Sequence, residues 1–351
     1  DITQEDDLVE EIARIIGYDN LPTTTLSTPI PSHKPQPDME LRERVKDIMV
    51  ACGMQEVISY SLTSLTTLEK TQVISNGPQP LRLTNPMSEE QEYLRTTLRG
   101  SIISTLAINQ NNVKDGIKLF EVGRVYIPRD TNDDLVQTHN LPIEREILIG
   151  LLAGPRWPES WLGDDENLDF FDAKGILETF LKRLGVQSSF EPIDDPIFLP
   201  GRSATIIAEK SRLGVIGELH TQTLEQFQID MSPVALFEVD LAALLDVLPM
   251  LSSQYHQIPR YPGAYRNLAI VLSTDIPSAN VQEIIERNPL TAQVTLFDVY
   301  QGSGVSAGTR SLAYSILFQL SDRTLVGEEV NHALEEIIAT IESETGAKLR
   351  S

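Results

Sequence analysis

The sequence is poor in cysteine, in basic residues and in long apolar runs, and each shortage excludes a class of protein. Cys52 is the only cysteine among 351 residues, so neither an intrachain disulfide nor a cysteine-rich zinc site can form. No apolar run reaches the roughly 18 residues that a membrane-spanning helix needs, and no secretory signal is visible. We therefore expect the chain to work in a reducing cytoplasm.

Sequence motifs for catalysis are also missing. No phosphate-binding P-loop and no nucleophile elbow occur. Gly302 and Gly304 lie between two predicted strands, so a hairpin loop is favoured over a phosphate cradle. The histidines are scattered without a His-x-x-x-His pair, which disfavours a transition-metal site. They are His33, His139, His220, His256 and His332. We expect this chain to be catalytically inactive by itself.

Basic charge is scarce, since the net charge is −23 at pH 7. Binding to phosphate normally requires a basic surface. From residue 255 onward there are seven basic and eleven acidic side chains, and most of the acids fall in two predicted helices. Two interpretations stay open. Either the acidic helices cover one side of a sheet and leave the other side locally basic, or the arginines of this segment only solvate the surface.

The first 248 residues predict a helix, a linker and a sheet domain. Leu8, Ile12 and Ile15 recur at helical spacing, and Gly17 ends the pattern. Five prolines between residues 20 and 38 predict an extended linker. Residues 39–248 alternate helices with strands at hairpin-like spacing, which is typical of a mainly antiparallel α+β domain.

The last hundred residues predict a second, smaller domain. Apolar alternation indicates strands and helical periodicity indicates helices in the order βαββαβ, which is the ferredoxin-like order. The predicted elements are a strand at 266–272, a helix at 278–287, strands at 293–300 and 310–320, a helix at 327–343 and a strand near 347–350.

Several motifs, in order along the whole chain, resemble the β subunit of bacterial phenylalanyl-tRNA synthetases. Each motif is weak alone, and their common order is specific. They are Val9 to Tyr18, Asn85-Pro86-Met87-Ser88, Leu94-Arg95-Thr96-Thr97-Leu98, Leu119 to Val125, Asp169 to Gly175, Pro200 to Ala204, Gly217 to His220, and the strands and helices that follow Tyr261.

The resemblance implies four segments. Residues 1–20 would be the remnant of a B5-type domain, and 21–38 a proline-rich linker. Residues 39–248 would form a class II synthetase-like antiparallel domain without catalysis. Residues 255–351 would form a ferredoxin-fold anticodon-binding domain. Because Asp1 is not a methionine, we expect the chain to be part of a longer protein.

The resemblance also implies a function and partners. The chain would scaffold a catalytic α subunit and bind the tRNA(Phe) anticodon during ATP-dependent aminoacylation, in an α2β2 heterotetramer. ATP would be bound by the α subunit. The editing activity of the family lies upstream of this segment. The rival interpretation, which the acidic charge favours, is a protein-interaction scaffold without an RNA role.

An acidic cluster at the start of the chain has two interpretations. Asp7, Glu10 and Glu11 are spaced to share one helix face, where they could simply be solvated and complement the helix dipole. Alternatively a hard cation such as Mg²⁺ could relieve their repulsion. The resemblance implies Mg²⁺ at Asp1, Asp7, Glu10 and Glu11, in a site shared with the α subunit.

For RNA binding we predict contacts from Arg266, Arg310 and Arg323. Tyr314 and Phe318 alternate with Leu312 and Ile316 on one strand face, so they are predicted to be core rather than stacking platforms. Tyr300 is among the remaining rings that could stack on bases. For a separate set of apolar residues, two alternatives stay open. Leu98, Ile102 and Leu106 are candidates for the interface with the α subunit, although a place in the core is favoured.

Overall fold

A computed structural model describes residues 2–25, 27–29, 36–71, 79–129, 141–161, 166–248, 258–302 and 304–350. Asp1, His33, His139 and His256 lie outside the described residues. The chain divides into two compact units, Asp1–Ser252 and Ser253–Ser351. None of the helices within the described ranges is long and apolar enough to cross a membrane.

The first unit begins with helix α1, Glu5–Ile16. Asp7 explains where this helix starts, because its carboxylate accepts hydrogen bonds from the backbone N–H groups of Thr3 and Gln4 at 2.7 and 2.9 Å. The Gln4 N–H is one of the donors that the first helical turn leaves without backbone partners. Ala13 is the buried residue of α1.

A seven-stranded sheet forms the centre of the first unit, with a strand pair beside it. The helices are α2 Pro37–Ala51, α3 Leu65–Lys70, α4 Arg99–Asn109, α5 Phe170–Arg183, α6 Thr221–Gln226 and α7 Leu241–Asp246. The strands are β1 Gln55–Glu56, β2 Leu62–Thr63, β3 Tyr93–Leu94, β4 Ile117–Ile127, β5 Ile143–Ala153, β6 Ser189–Pro192, β7 Phe198–Ala208, β8 Ser211–Leu219 and β9 Val234–Asp240. The large sheet runs β1-β4-β5-β9-β8-β7-β6, and β2 pairs with β3. Each neighbouring pair is antiparallel except β1 and β4.

Alternation along the strands places two cores on the two faces of this sheet. Phe237 and Val239 pack in the core that includes residues of α2, α5 and α7. Leu236 packs in the core on the other face, together with Leu98, Ile102 and Leu106. The last three side chains are fully buried, so their assignment to the core is confirmed and an interface role for them is wrong.

Leu94, Leu98, Ile102 and Leu106 fall four residues apart, a spacing that predicts a helix over 93–109, but the helix begins later than predicted. Tyr93–Leu94 is a strand and the helix starts at Arg99. The reason lies in tertiary contacts of Arg95, whose backbone N–H donates to the Ser61 carbonyl and whose carbonyl accepts from Tyr126. These bonds hold the segment extended, although its side-chain pattern suits a helix.

The second unit has the predicted βαββαβ order. Its elements are β10 Ala264–Ser273, α8 Ser278–Glu286, β11 Thr291–Tyr300, β12 Thr309–Phe318, α9 Gly327–Thr345 and β13 Lys348–Leu349. The sheet runs β11-β12-β10-β13, and its ladders are antiparallel. The α+β class and the ferredoxin fold of this part are therefore confirmed.

The core of the second unit lies between the sheet and the two helices. Tyr314 and Phe318 are fully buried there with Val281 and Ile337, so their predicted place in the core is confirmed. The Tyr314 hydroxyl donates to the Ser278 carbonyl at 3.0 Å, and burial raises the pKa of Tyr314 to about 12.

Candidate nucleic-acid interface

One face of the four-stranded sheet carries the helices, and the opposite face is open among the described residues. Side chains alternate between the two faces along each strand. On β12 the apolar buried residues face the helices, so Ser311, Ala313 and Ser315 point to the opposite face, where Ser311 is nonetheless covered and only 2% exposed. On β10 the open-face positions include Asn267 and Ala269. Small side chains here let a flat ligand approach the backbone of the sheet.

Arg350, Tyr300 and Ser311 meet on this open face. The Arg350 guanidinium carbon lies 5.0 Å from the centre of the Tyr300 ring, a cation–π distance. Its Nη1 donates to Ser311 Oγ at 3.1 Å, and its backbone N–H donates to the Ala269 carbonyl. Tyr300 and Ser311 are register partners across β11 and β12. We call Tyr300, Ser311 and Arg350 the open-face cluster.

The open-face cluster has the chemistry that single-stranded nucleic acid requires. Unstacked bases are recognised by stacking on aromatic rings and guanidinium planes and by hydrogen bonds to their edges. The cluster offers a ring and a guanidinium plane, while Ser311, only 2% exposed, holds the guanidinium in place. Tyr265 is 66% exposed on the same face, but it is in register with Leu317 and so lies about 20 Å along the strand from Ser311.

Two of the predicted arginines lie on the helix side of the sheet. Arg266 and Arg310 occupy the same alternating positions as the buried residues of their strands. Arg266 donates to Asn331 Oδ1 on α9 at 3.4 Å, and Arg310 donates to the Ile276 carbonyl at 2.6 Å. Arg266 is in register with Ile316 and Arg310 with Leu272, so about 20 Å of strand separates them. The structure does not bring these two side chains together.

Arg323 is engaged at the start of α9. It donates two hydrogen bonds to the Glu329 carboxylate at 2.8 and 2.6 Å, and Glu329 also accepts from the Val326 backbone N–H at 2.9 Å. The hydrogen bonds from Arg323, and then the one from Val326, lower the pKa of Glu329 to about 2. A tRNA phosphate that bound Arg323 would have to share its guanidinium group with the Glu329 carboxylate.

The open-face cluster was only partly visible in the sequence. Tyr300 was one of the candidate rings, but Arg350 and Ser311 were not selected. Their contact joins residues 39 positions apart, and only the antiparallel register decides which strand residues become neighbours. The available signal was the small residues at 311, 313 and 315, which alternate with the core residues of β12.

The predicted magnesium ligands do not form a site within the described residues. Asp7 caps its own helix, and the backbone hydrogen bond from Thr3, followed by that from Gln4, lowers its pKa. Glu11 is paired with Arg14 at 2.6 Å. No group of three or more candidate ligands occurs in the described ranges. These carboxylates do not by themselves fit a bound cation, and the magnesium site stays a prediction.

A cleft of about 930 Å³ lies on the sheet of the first unit. Arg99 in this cleft is ion-paired with Glu238 at 2.7 Å and Asp195 at 3.0 Å. Burial opposes its charge, but the two carboxylates outweigh burial and raise its pKa. The sequence did not reveal this arginine–glutamate pair, whose members are 139 positions apart. Since two acids already occupy the guanidinium group, Arg99 is not available to clamp a phosphate.

Comparison with known families agrees with this architecture. The family model of the phenylalanyl tRNA synthetase beta chain CLM domain matches residues 21–241, and that of the ferredoxin-fold anticodon binding domain matches residues 259–350. The matches define the class: a synthetase β-chain module joined to an anticodon-binding fold. The chain belongs to the phenylalanyl-tRNA synthetase β chain family.

Curated relatives that match the entire chain share one name. The phenylalanine–tRNA ligase beta subunits of two Dehalococcoides mccartyi strains, ATCC BAA-2266 and CBDB1, are 38% and 36% identical over 100% of this chain. That of Syntrophotalea carbinolica is 33% identical over 100% of this chain. The chain spans 42 to 43% of the length of these relatives.

Proposed function

We propose that this chain is the part of a phenylalanine–tRNA ligase β subunit that binds the tRNA(Phe) anticodon and scaffolds the catalytic α subunit. The open-face cluster on a ferredoxin-type sheet carries the proposal. The chain itself is catalytically inactive in this account, and the α subunit binds ATP and performs the aminoacylation. The assembly is an α2β2 heterotetramer that acts in the cytoplasm.

The distribution of charge supports an RNA role despite the net charge of −23. Acidic side chains of the second unit concentrate on the two helices, which pack against the opposite face of the sheet. The open face carries Arg350 and Lys348, with Asp298 as an acid among them. An RNA strand on this face is therefore kept away from most of the repelling carboxylates.

A second surface, on the first unit, supports the proposal of a protein partner. Ile58 and Tyr60 are 88% and 78% exposed. Ser59 between them donates to Glu121 at 2.6 Å and accepts from Arg95 at 2.7 Å. The buried polar contacts hold the segment so that two large apolar side chains project outward. Such side chains are typical anchors of protein interfaces, and we assign them to the α subunit.

Other parts of the proposal rest on the family resemblance. Residues 1–20 would be the end of a B5-type domain, followed by a linker at 21–38 and the synthetase-like domain at 39–248. Mg²⁺ would be held by Asp1, Asp7, Glu10 and Glu11 only with ligands from the α subunit. Arg266, Arg310 and Arg323 stay predicted tRNA contacts. They are ranked behind the open-face cluster because Arg266 and Arg310 lie on the helix side of the sheet and Arg323 is paired with Glu329.

Binding of a tRNA(Phe) transcript, with and without the α subunit, tests the proposal. We expect binding that depends on the anticodon and weakens as salt rises. Tyr300→Ala should weaken it about 5- to 150-fold, the loss expected for one stacking contact. Arg350→Ala should weaken it by a similar factor. The matched control is Arg287→Ala, because Arg287 lies at the end of α8 and is paired with Glu283 and Glu344.

The outcomes separate the two candidate functions. Equal binding of wild type and the Tyr300→Ala and Arg350→Ala variants would remove the open face from the proposal. No tRNA binding by a folded chain, with or without the α subunit, would instead favour the protein-interaction scaffold, which the acidic net charge supports.

A further inference from the structure

A strand of two residues lies at one edge of the sheet in the second unit. This strand, β13 (Lys348–Leu349), pairs with Val271 and Ile270 of β10, whereas β10 and β12 are ten residues long. Both residues of β13 are exposed, so the strand buries little apolar surface of its own. Segments with few buried contacts and exposed backbone hydrogen bonds are the ones that open locally. We therefore expect β13 to detach more readily than the long strands.

The docked strand places Arg350 across the sheet. The Arg350 N–H donates to the Ala269 carbonyl on β10 at 3.0 Å. Its guanidinium group donates to Ser311 on β12 at 3.1 Å and lies 5.0 Å from the centre of the Tyr300 ring on β11. Because the order is β11-β12-β10-β13, the two edge strands are about 14 Å apart. Arg350 thus contacts each of the other three strands and links one edge of the open face to the other.

Gly302 is a second neighbour that restricts the Tyr300 ring. A methyl group at Gly302 would lie 2.7 Å from the Tyr300 hydroxyl oxygen and 2.9 Å from its Cζ, which is too close for packed atoms. The ring therefore passes directly beside the Gly302 backbone while Arg350 contacts its π-system. A ring that is oriented before a ligand arrives loses less conformational entropy when the ligand binds.

We propose that Arg350 is a positioning residue for Tyr300, and that docking of β13 is coupled to RNA binding through this residue. When β13 is docked, the guanidinium group holds the ring in the orientation that stacks on a base. When β13 detaches, Arg350 leaves with it and the ring loses this restraint. Because coupling between two equilibria is reciprocal, RNA that binds the docked state better also stabilises β13 docking. This inference rests on the proposed function and adds a conformational step to the same site.

Leu349 allows β13 to be weakened without a change on the open face. Its register partner is Ile270, a core residue on the helix side of the sheet, and register partners lie on the same face. Leu349→Gly makes the strand conformation less favourable, because glycine is depleted in strands, whereas Leu349→Val keeps a strand-forming side chain. Leu349→Val is therefore the matched control.

The first experiment measures binding of the tRNA(Phe) transcript by the full chain, with and without the α subunit. Leu349→Gly should weaken binding about 2- to 5-fold, since the strand propensities of different residues span about 1 kcal/mol. Leu349→Val should stay within about 2-fold of wild type. Far-UV circular dichroism of each variant establishes that it is folded.

A double-mutant cycle distinguishes positioning from general destabilisation. Arg350→Ala removes the guanidinium group whether or not β13 is docked. In the Arg350→Ala background, Leu349→Gly should therefore cause no further loss of tRNA binding. Destabilisation of the sheet as a whole would instead lower the affinity by the same factor in both backgrounds.

Hydrogen exchange measures the reciprocal effect of RNA on the strand. A peptide over residues 346–350 contains the Arg350 N–H, which donates to Ala269 when β13 is docked. Bound tRNA(Phe) should slow exchange in this peptide at least about 2-fold in the wild-type chain, because it stabilises the docked state. In the Arg350→Ala variant, saturated with tRNA, this slowing should be absent.

The outcomes separate this inference from the proposed function. Wild-type affinity of Leu349→Gly, or unchanged exchange at 346–350 in the presence of bound tRNA, overturns the inference and leaves the proposed function intact. Losses that add in the double variant also overturn it, because β13 would then act independently of Arg350. No tRNA binding by the wild-type chain, with or without the α subunit, overturns the proposed function and this inference together.

Discussion

At the scale of single residues, the first unit depends on a buried ion pair. Arg95 and Glu121 have side chains that are 4% and 2% exposed, with a shortest N–O distance of 2.9 Å. Arg95 also donates to the Arg124 carbonyl and to Ser59. One guanidinium group thus connects segments that are far apart in the sequence. A buried charge that loses its partner is strongly unfavourable, so neither residue can be removed alone.

Loss of one member of this pair should destabilise the first unit. Arg95→Met is expected to reduce the free energy of unfolding by about 3–5 kcal/mol, since it leaves Glu121 charged and buried. Far-UV circular dichroism in a denaturant titration measures this loss.

The matched control is the exposed pair Arg124–Glu144, whose side chains are 60% and 51% exposed. Arg124→Met should cost less than about 1 kcal/mol, as is usual for surface pairs. Equal losses for the two variants would contradict a structural role of the buried pair.

A second prediction at the residue scale concerns pH. The folded state lowers the pKa of Glu329 from 4.5 to about 2. Its stabilisation of α9 is therefore complete above pH 4.5 and is lost as pH falls towards 2. Hydrogen exchange of the first turn of α9 should rise over this window, after correction for the intrinsic rate. Glu329→Gln should abolish the pH dependence, whereas Glu328→Gln should retain it.

At the scale of elements, close backbone contact between paired strands limits which side chains they can carry. Gly214 on β8 pairs with Val239 on β9, and a methyl group at Gly214 would collide with the Glu238 carbonyl. No side chain can rotate away to relieve this clash, because the obstacle is backbone. Gly175 in the middle of α5 differs, since a methyl group there would meet nothing within 4 Å.

Replacing these two glycines by alanine is predicted to change stability in opposite directions. Gly214→Ala should separate β8 from β9 and cost about 1–3 kcal/mol or more. Gly175→Ala should stabilise the first unit by up to about 1 kcal/mol, because alanine is the better helix former. Denaturant midpoints followed by far-UV circular dichroism measure both. A loss at Gly175, or no loss at Gly214, would show that the packing described here is wrong.

Elements also show where sequence patterns stop being sufficient. The βαββαβ order of the second unit was predicted because each strand and helix has its own apolar period. The start of α4 was not, because the segment at Arg95 is held extended by partners from β4 and from residues 59–61. Local periodicity cannot reveal hydrogen-bond partners that are distant in the sequence.

At the scale of the whole molecule, the two units have separate cores. The apolar cluster of the second unit is built from residues of that unit, and the two clusters of the first unit from residues of the first. We therefore expect each unit to unfold in its own cooperative transition, as small domains usually do.

A chain restricted to residues 258–351 tests this independence. It should unfold cooperatively in denaturant, with coincident transitions by far-UV circular dichroism and tyrosine fluorescence. If it folds, it should keep the tRNA binding proposed for the open face, since Tyr300, Ser311 and Arg350 are all present. A gradual, non-cooperative loss of signal would mean that the first unit is needed for its stability.

The sequence alone determined the fold class, the order of the elements in the second unit and the family. These follow from local periods, such as the alternation of Leu312, Tyr314, Ile316 and Phe318, and from motifs that occur in a fixed order. It also showed that no local phosphate-binding motif is present. Such properties depend on residues that lie close together along the chain.

Only the tertiary structure decided which side chains meet. It joined Arg350 to Tyr300 and Ser311, paired Arg99 with Glu238 and Asp195, and turned Arg266 and Arg310 towards the helix layer. The physical reason is that strand register and helix packing bring distant residues together, and a shift of one position would send every side chain of a strand to the other face. The residues proposed to contact RNA are therefore a property of the folded sheet.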